Sequence, residues 1–329
     1  MLTKKQNLIE TMKGGNPDRF VNQYEAFAIM MHPFVASNPA PKYGEHNVKN
    51  LWGVVKSFPE GTPAAFPVHT PETIVIKDIT HWRDYVKAPN CKFDDAAWEP
   101  FMKQVEAVDR NEQYVLPFIA PGVFEQCHYL MEIQNCLMAF YDEPECMHEL
   151  IDFYTEWELQ LAENICDHMK PDGVFHHDDW GSQRSTFISP DMFEEFFLPS
   201  YKKIYGYYKS RGANLIVHHS DSYAATLVPY MIDMGMSIWQ GVMKSNDIPA
   251  LIAKYGDKLT FMGGIDSAEV DFEGWTKEIV EKKVKEACDA CGTKYFIPNA
   301  SQGLAMSTFP GVYEAISEAI DNYSKVVFK

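Results

Sequence analysis

Short apolar runs that stop abruptly on polar groups recur through the second half of the chain. They are Gly173–Asp179, Asn214–Ser222, Ser237–Val242, Leu259–Asp266 and Lys294–Pro298, and each reads as a buried parallel strand. Stretches with helical spacing separate them: Ser189 to Lys209, residues 224–234, Ile248–Tyr255, residues 275–290 and Val312–Val327. Ser189 is placed to cap the first of these with Pro190 at its first turn, while Gly212 and Gly256 act as stops. In the first half, residues 3–13 predict a helix with Thr3 as N-cap and Gly14-Gly15 as its stop, and Arg19–Glu25 predicts a first strand. Residues 33–71 are rich in Pro, Gly and aromatics without a period, and predict a long excursion over one end of the fold. An extended piece at Glu72–Ile79 leads to a helix at Trp82, and Gln113–Ala120 is a clear strand. Residues 144–169 predict a strong amphipathic helix, with Pro144 in its first turn and Leu150, Phe153, Trp157 and Leu161 on one face.

Strand-helix alternation with short breaks is the signature of an α/β protein with a parallel sheet. At least five successive units favour a single (β/α)8 TIM-like barrel over residues 1–329, with an N-terminal extension and long loops at the carboxyl-end mouth. The strand ends would then meet at that mouth. They bring Asn22, Gln23, Tyr24 and Glu25; His176, His177, Asp178 and Asp179; His218, His219, Ser220 and Asp221; then Gln240, Asp266, Asn299 and Gln302. Successive strand residues point to opposite faces, so about half of this set looks into the barrel.

Composition narrows the partners. The 329 residues are 46% hydrophobic and 23% charged, as in a globular protein, and the net charge of −17 argues against nucleic acid or an anionic membrane as ligand. No charged-then-apolar leader opens the sequence and no run reaches the ~20 apolar residues of a membrane span, so a soluble, cytoplasmic protein is expected. Seven scattered cysteines fit reduced thiols, and the close pair Cys288/Cys291 late in a helix reads as packing rather than a redox motif.

Imidazoles and carboxylates at two neighbouring strand ends offer metal binding, or acid-base catalysis by a histidine that an aspartate orients. The alternatives are structural: a His-His pair can bond loop backbone, and an Asp pair can cap a helix. His-x-Asp alone is too few ligands for zinc, and no H-E-x-x-H, P-loop or G-x-S-x-G motif is present. Gly263-Gly264 lacks the further glycine of a dinucleotide fingerprint, so nicotinamide cofactors are not expected.

The order of pieces resembles the uroporphyrinogen decarboxylase-like superfamily, which includes corrinoid-dependent methyltransferases. The resemblance runs from the Asn16-Pro17-Asp18-Arg19 turn through Asp142-Glu143-Pro144, Asp178-Asp179-Trp180-Gly181 and Ile188–Phe193 to His219–Ser222, Tyr255–Asp266 and Pro310. It implies a TIM-like barrel. Two departures shape the functional expectation. Decarboxylase members carry an arginine-rich stretch after the first strand, whereas here no arginine lies between Arg19 and Arg83, so a polycarboxylate porphyrinogen would lack cationic partners. Zinc-dependent methyltransferase members carry His-x-Cys and a later Cys. Aligned on Pro229 and Pro310, those places hold His219, Asp221 and Gln302, with no thiolate at either cysteine position.

The resemblance therefore implies the methyl-donor side of an O-demethylase system. A methyl group would pass from a small methylated donor, a phenyl methyl ether, to the Co(I) corrinoid of a partner protein. His219, Asp221, Asp179 and His177 are the expected catalytic residues, and His219, Asp221 and His177 are the candidate metal set, with zinc as the metal considered. Asn22, Tyr24, Glu25, Trp180, Gln240, Asp266 and Gln302 are expected to bind substrate, and Tyr24, Phe124, Trp180, Trp239, Met243, Met262 and Met306 to line an apolar pocket. The expected partners are a corrinoid protein and, between copies of the chain, a homodimer. The competing readings are a decarboxylase or lyase of a small aromatic acid or a uroporphyrinogen-like compound, and a silent corrinoid-protein-binding scaffold.

Overall fold

Seven parallel strands form one curled sheet in a computed structural model describing residues 1–329. In chain order the strands of the molecule are β1 (Phe27–Met30), β2 (Val48–Lys49), β3 (Val55–Ser57), β4 (Phe66–Pro67), β5 (Tyr114–Ile119), β6 (Gly173–His177), β7 (Leu215–His219), β8 (Ile238–Val242), β9 (Thr260–Ile265) and β10 (Phe296–Ala300). The large sheet runs β1-β5-β6-β7-β8-β9-β10, so every strand after β5 pairs with its sequence neighbour, while β2-β3-β4 make a small antiparallel sheet. The parallel barrel architecture holds, with one hydrogen-bonded strand fewer than the eight expected.

The missing strand has a local cause. Arg19–Glu25, expected to be the first strand, is irregular and ends in a turn from Gln23, and β1 starts two residues later. Gln23 sits at φ 49°, and the side chains of Asn22 and Gln23 reach sideways to Ser317, Asp321 and the Tyr313 carbonyl. The segment plugs the gap between β10 and β1 rather than pairing across it. Val21 and Tyr24 join Leu8 of the first helix in the barrel interior, and Tyr295 N–H donates to the Thr11 carbonyl at 2.9 Å.

Alternation along the strands then builds two cores. Inward residues Phe27, Leu116, Phe175, Leu215, Val217, Ile238, Met262 and Ile297 fill the barrel. Outward residues such as Val174, Ile216, Trp239, Phe261 and Phe296 pack under the helices. Burying each aromatic or branched side chain contributes about 1.5–3 kcal/mol, so the floor beneath the mouth is rigid.

The helices follow their signals closely. The long helix spans Pro144–Met169, and the first, Lys4–Met12, opens with a Thr3/Gln6 capping box. The helix expected from Ser189 is capped by Ser189 as read, but passes through a π-helical turn at Phe193–Phe197 before continuing to Ser210. The excursion at 33–71 contains β2–β4, and Glu72–Ile79 is turns rather than an extended strand, docked by Val75 and Ile76 N–H bonds to the Leu130 carbonyl. Cys288 is buried and Cys291 half-buried; burial pushes both thiols up, Cys291 to about 12, as expected of packing residues. No helix is long and apolar enough to cross a membrane.

Candidate active site

The two His-His pairs lie side by side. In the β6–β7 register His176 faces His218 and His177 faces His219, and on β8 Gln240 faces His219. Alternation therefore sorts each pair into one imidazole behind the sheet and one at the mouth. His176 and His218 are fully buried behind it. His176 Nε2 lies 2.8 Å from Glu158 Oε1, Tyr205 Oη lies 2.5 Å from His218 Nδ1, and the Trp180 ring stacks on His218 at 4.1 Å. Burial holds the His218 imidazole well below its ordinary value, so it is a neutral structural group. His177 and His219 face the mouth, their rings stacked with centroids 4.4 Å apart.

The Asp178/Asp179 pair is sorted the same way. Asp178 is fully buried and caps the helix Val123–Met131, accepting from Phe124 N–H at 2.9 Å and Glu125 N–H at 2.8 Å. It also accepts from Trp180 Nε1 at 3.1 Å and from the Tyr201 hydroxyl. The helix end approaches so closely that a Cβ on Gly122 would lie 2.3 Å from the Asp178 Cβ. Asp179 instead enters the mouth, with Oδ2 4.0 Å from His177 Nε2 and Oδ1 4.0 Å from His219 Nε2. The ligand-capable atoms of His177, Asp179 and His219 all lie within 4.8 Å of one another.

Each mouth imidazole is held from behind. Glu125, on the helix that Asp178 caps, meets His177 Nδ1 at 2.9 Å and accepts from the Tyr129 hydroxyl at 2.8 Å. Gln240 Oε1 meets His219 Nδ1 at 2.5 Å, while Gln240 Nε2 donates to Asn299 Oδ1 at 3.1 Å and the Gln302 carbonyl at 3.3 Å. Burial opposes charge on His177, but the Glu125 carboxylate, through its charge and hydrogen bond and with Asp179 and Asp221 adding, raises it to about 10. For Glu125, burial pushes upward and His177 overcomes it, holding the carboxyl at about 2. Burial, then the nearby His177 charge, lowers His219 to about 3. Burial raises Asp179 to about 6 against the pull of His177. The mouth thus pairs a cationic imidazole with a neutral one across a carboxylate.

Several sequence expectations change. The metal set read from sequence was His177, His219 and Asp221; the structure groups the two imidazoles with Asp179. Asp221 is exposed, and its backbone N–H donates to Asp179 Oδ1 at 2.9 Å. Trp180 is behind the sheet, with Phe124 and Trp239, because alternation and helix packing turn them outward. Met262 lies in the barrel floor, Met306 is exposed and Met243 edges the cleft. The expected apolar pocket is absent in that form. Beside the cluster opens a cleft of about 590 Å³ lined largely by polar groups, among them Asp221, Asp266, Glu269, Asp271, Ser301 and Gln302, and by no lysine or arginine.

Asn22 N–H donates to Glu25 Oε1 within the N-terminal plug, the Asn22 side chain donates to the Ser317 carbonyl, and both residues flank a separate depression, whereas the Tyr24 hydroxyl reaches the Gln302 carbonyl at 3.3 Å. Asp266 lines the cleft and accepts from Lys244 N–H at 3.3 Å. Sequence reading missed Glu125 and Lys56. Glu125, His128 and Tyr129 are polar groups spaced along one face of an otherwise apolar helix, which was the available signal. Lys56, on β3, lies 4.3 Å over the Tyr129 ring, and burial lowers its ammonium against the pull of Glu125.

The model of the family described as uroporphyrinogen decarboxylase (URO-D) matches residues 58–323. The chain belongs to the uroporphyrinogen decarboxylase family. Among solved structures, this URO-D family member is similar to a methyltransferase from Methanosarcina mazei at 14% identity, covering 98% of this chain and 99% of that one with a TM-score of 0.66. That likeness is one of fold. A B12-independent methionine synthase from Shewanella sp. W3-18-1 matches at 14% identity over 65% of this chain and 62% of that one, TM-score 0.42. Comparison with curated proteins found no match. Of the zinc positions implied by the family resemblance, His219 is grouped with His177 and Asp179, while Asp221 and Gln302 line the neighbouring cleft.

Proposed function

We propose that this URO-D family chain transfers a methyl group from a small, neutral phenyl methyl ether to the Co(I) corrinoid of a separate protein. The carrying observation is the mouth itself: two imidazoles and one carboxylate converge with their reactive atoms turned toward one another, beside a cleft without a cation. Such a cleft suits neither a polycarboxylate porphyrinogen nor a small aromatic acid, because four acidic side chains and no lysine or arginine line it, and the His177 imidazolium beside it is already paired with Glu125.

In the transfer, the bond between methyl carbon and ether oxygen breaks with its electron pair left on oxygen, and Co(I) supplies the pair for the new bond to carbon. The protein must hold the donor in line and place positive charge at the departing oxygen. His177 carries that charge, fixed by Glu125, and its Nε2 faces the space shared with His219 and Asp179. Glu125 raises the imidazole well above its ordinary range, so it is protonated and can pass that proton to the departing phenolate oxygen. A divalent ion held by His177, Asp179 and His219 would supply the same stabilisation as a Lewis acid.

Incubation with a panel of neutral methoxyarenes and a reduced corrinoid protein tests this reading. The expected result is phenol release matched by methyl-corrinoid absorbance. Carbon dioxide release from an aromatic acid without corrinoid would overturn it in favour of a lyase, and His219→Ala leaving every binding and turnover signal intact would favour a scaffold.

A further inference from the structure

We propose that His177 Nε2, His219 Nε2 and a carboxylate oxygen of Asp179 form a resident site for a divalent transition-metal ion of the zinc class, with Glu125 and Gln240 orienting the two imidazoles. The hydrogen bonds behind the rings fix the assignment. The Gln302 carbonyl can only accept, so Gln240 Nε2 is the donor to it and Gln240 Oε1 is left as an acceptor. His219 Nδ1 must therefore carry the proton, which leaves the Nε2 lone pair directed into the mouth. The Glu125 carboxylate accepts from His177 Nδ1–H, so Nε2 is the atom His177 presents, and an ion binding there would displace the Nε2 proton. A ring nitrogen tied to a carboxylate or amide while the other faces a common point is the arrangement that orients histidine ligands on a metal.

Neither Nε2 has a hydrogen-bond partner, and a carboxylate oxygen of Asp179 lies 4.0 Å from each. The His219 side chain is 2% exposed, so water is largely excluded from it. Two nitrogens and one oxygen within 4.8 Å need shifts of a fraction of an ångström to meet donor distances of about 2.0–2.2 Å from one ion. Two histidines and a carboxylate with positions left open form a catalytic rather than a structural donor set. Asp221 is outside the set: its carboxylate acts on the cluster only through its charge, and its backbone N–H bond steadies Asp179.

This site stands whether or not the reaction is methyl transfer, and its test uses no substrate. The full-length protein is stripped with a chelator, dialysed and titrated with Zn2+ by calorimetry and with Co2+ by visible absorption. Wild type and Asp221→Asn are expected to retain about one equivalent and to give the same Co2+ spectrum. Asp179→Asn, nearly isosteric, and His219→Ala are expected to lose both, and Glu125→Gln to weaken binding about 10–100-fold, with circular dichroism confirming the fold of each. Absence of a retained equivalent in wild type would overturn the site, as would loss of metal in Asp221→Asn with retention in Asp179→Asn.

Discussion

His177 and Glu125 meet at 2.9 Å across 52 residues of sequence, and the contact decides the charge of the mouth. The imidazole is raised to about 10 and the carboxyl held at about 2 by the same bond. Glu125→Gln keeps an acceptor but removes the charge. In chelator-treated protein the His177 titration is expected to move down toward its ordinary range by NMR, with kcat falling on the order of 10–100-fold. An unchanged His177 titration would contradict the pairing.

The same pair sets a pH window for stability. The raised His177 stabilises fully below its unfolded value of 6.5 and loses that contribution as pH rises through about 10. The depressed Glu125 stabilises above its unfolded value of 4.5 and loses that contribution as pH falls through about 2. Urea midpoints of chelator-treated wild type relative to Glu125→Gln should differ most between about pH 4.5 and 6.5, with the gap narrowing on both sides. A gap that widens toward pH 10 would contradict the sign.

Asp178 acts through the helix that carries Glu125. Asp178→Asn turns one acceptor into a donor facing either the Glu125 N–H or the Phe124 N–H with the Trp180 and Tyr201 donors. A loss of about 2–4 kcal/mol in urea unfolding is expected, together with weaker activity as Glu125 loses its position. Wild-type stability in this variant would mean that the cap is dispensable.

Legibility in the sequence followed the range of the physics. The helix at 144–169 and strands β5–β10 were readable because periodicity and caps act within a few residues. The first strand was misplaced because Asn22 and Gln23 are held by partners near residue 317, which no local pattern encodes. The two His-His strand ends marked the mouth, but only register shows that His177 and His219 face it while His176 and His218 are structural. Glu125 sits on a helix from another unit of the barrel, so its tie to His177 is invisible before folding. The choice of Asp179 over Asp221 also depends on where the β6 and β7 ends turn.

His219 is packed between glycines. A Cβ on Gly241, at φ +90°, would lie 3.0 Å from the ring, and one on Gly303 would lie 3.2 Å from it. Gly241→Ala is expected to cost about 1–3 kcal/mol of stability and to lower kcat more than it raises KM, by tilting the imidazole. A change confined to KM would show that the ring position is not limiting.

The acidic cleft predicts selectivity by charge. At equal methoxy chemistry, a neutral ether should exceed its ring-carboxylated counterpart by about tenfold or more in kcat/KM, ~1.4 kcal/mol. Equal or inverted preference, measured by phenol release, would place the ring away from Asp221 and Asp266.

The central claim, that the His177–Asp179–His219 cluster drives methyl transfer, is tested most directly by single turnover. Enzyme in excess is mixed with a neutral methoxyarene and Co(I) corrinoid protein, and methyl-corrinoid absorbance is followed in wild type, Asp179→Asn and Asp221→Asn. The account predicts rapid transfer in wild type, loss of at least about 100-fold in Asp179→Asn and a smaller effect in Asp221→Asn. Transfer at the wild-type rate in Asp179→Asn would contradict it.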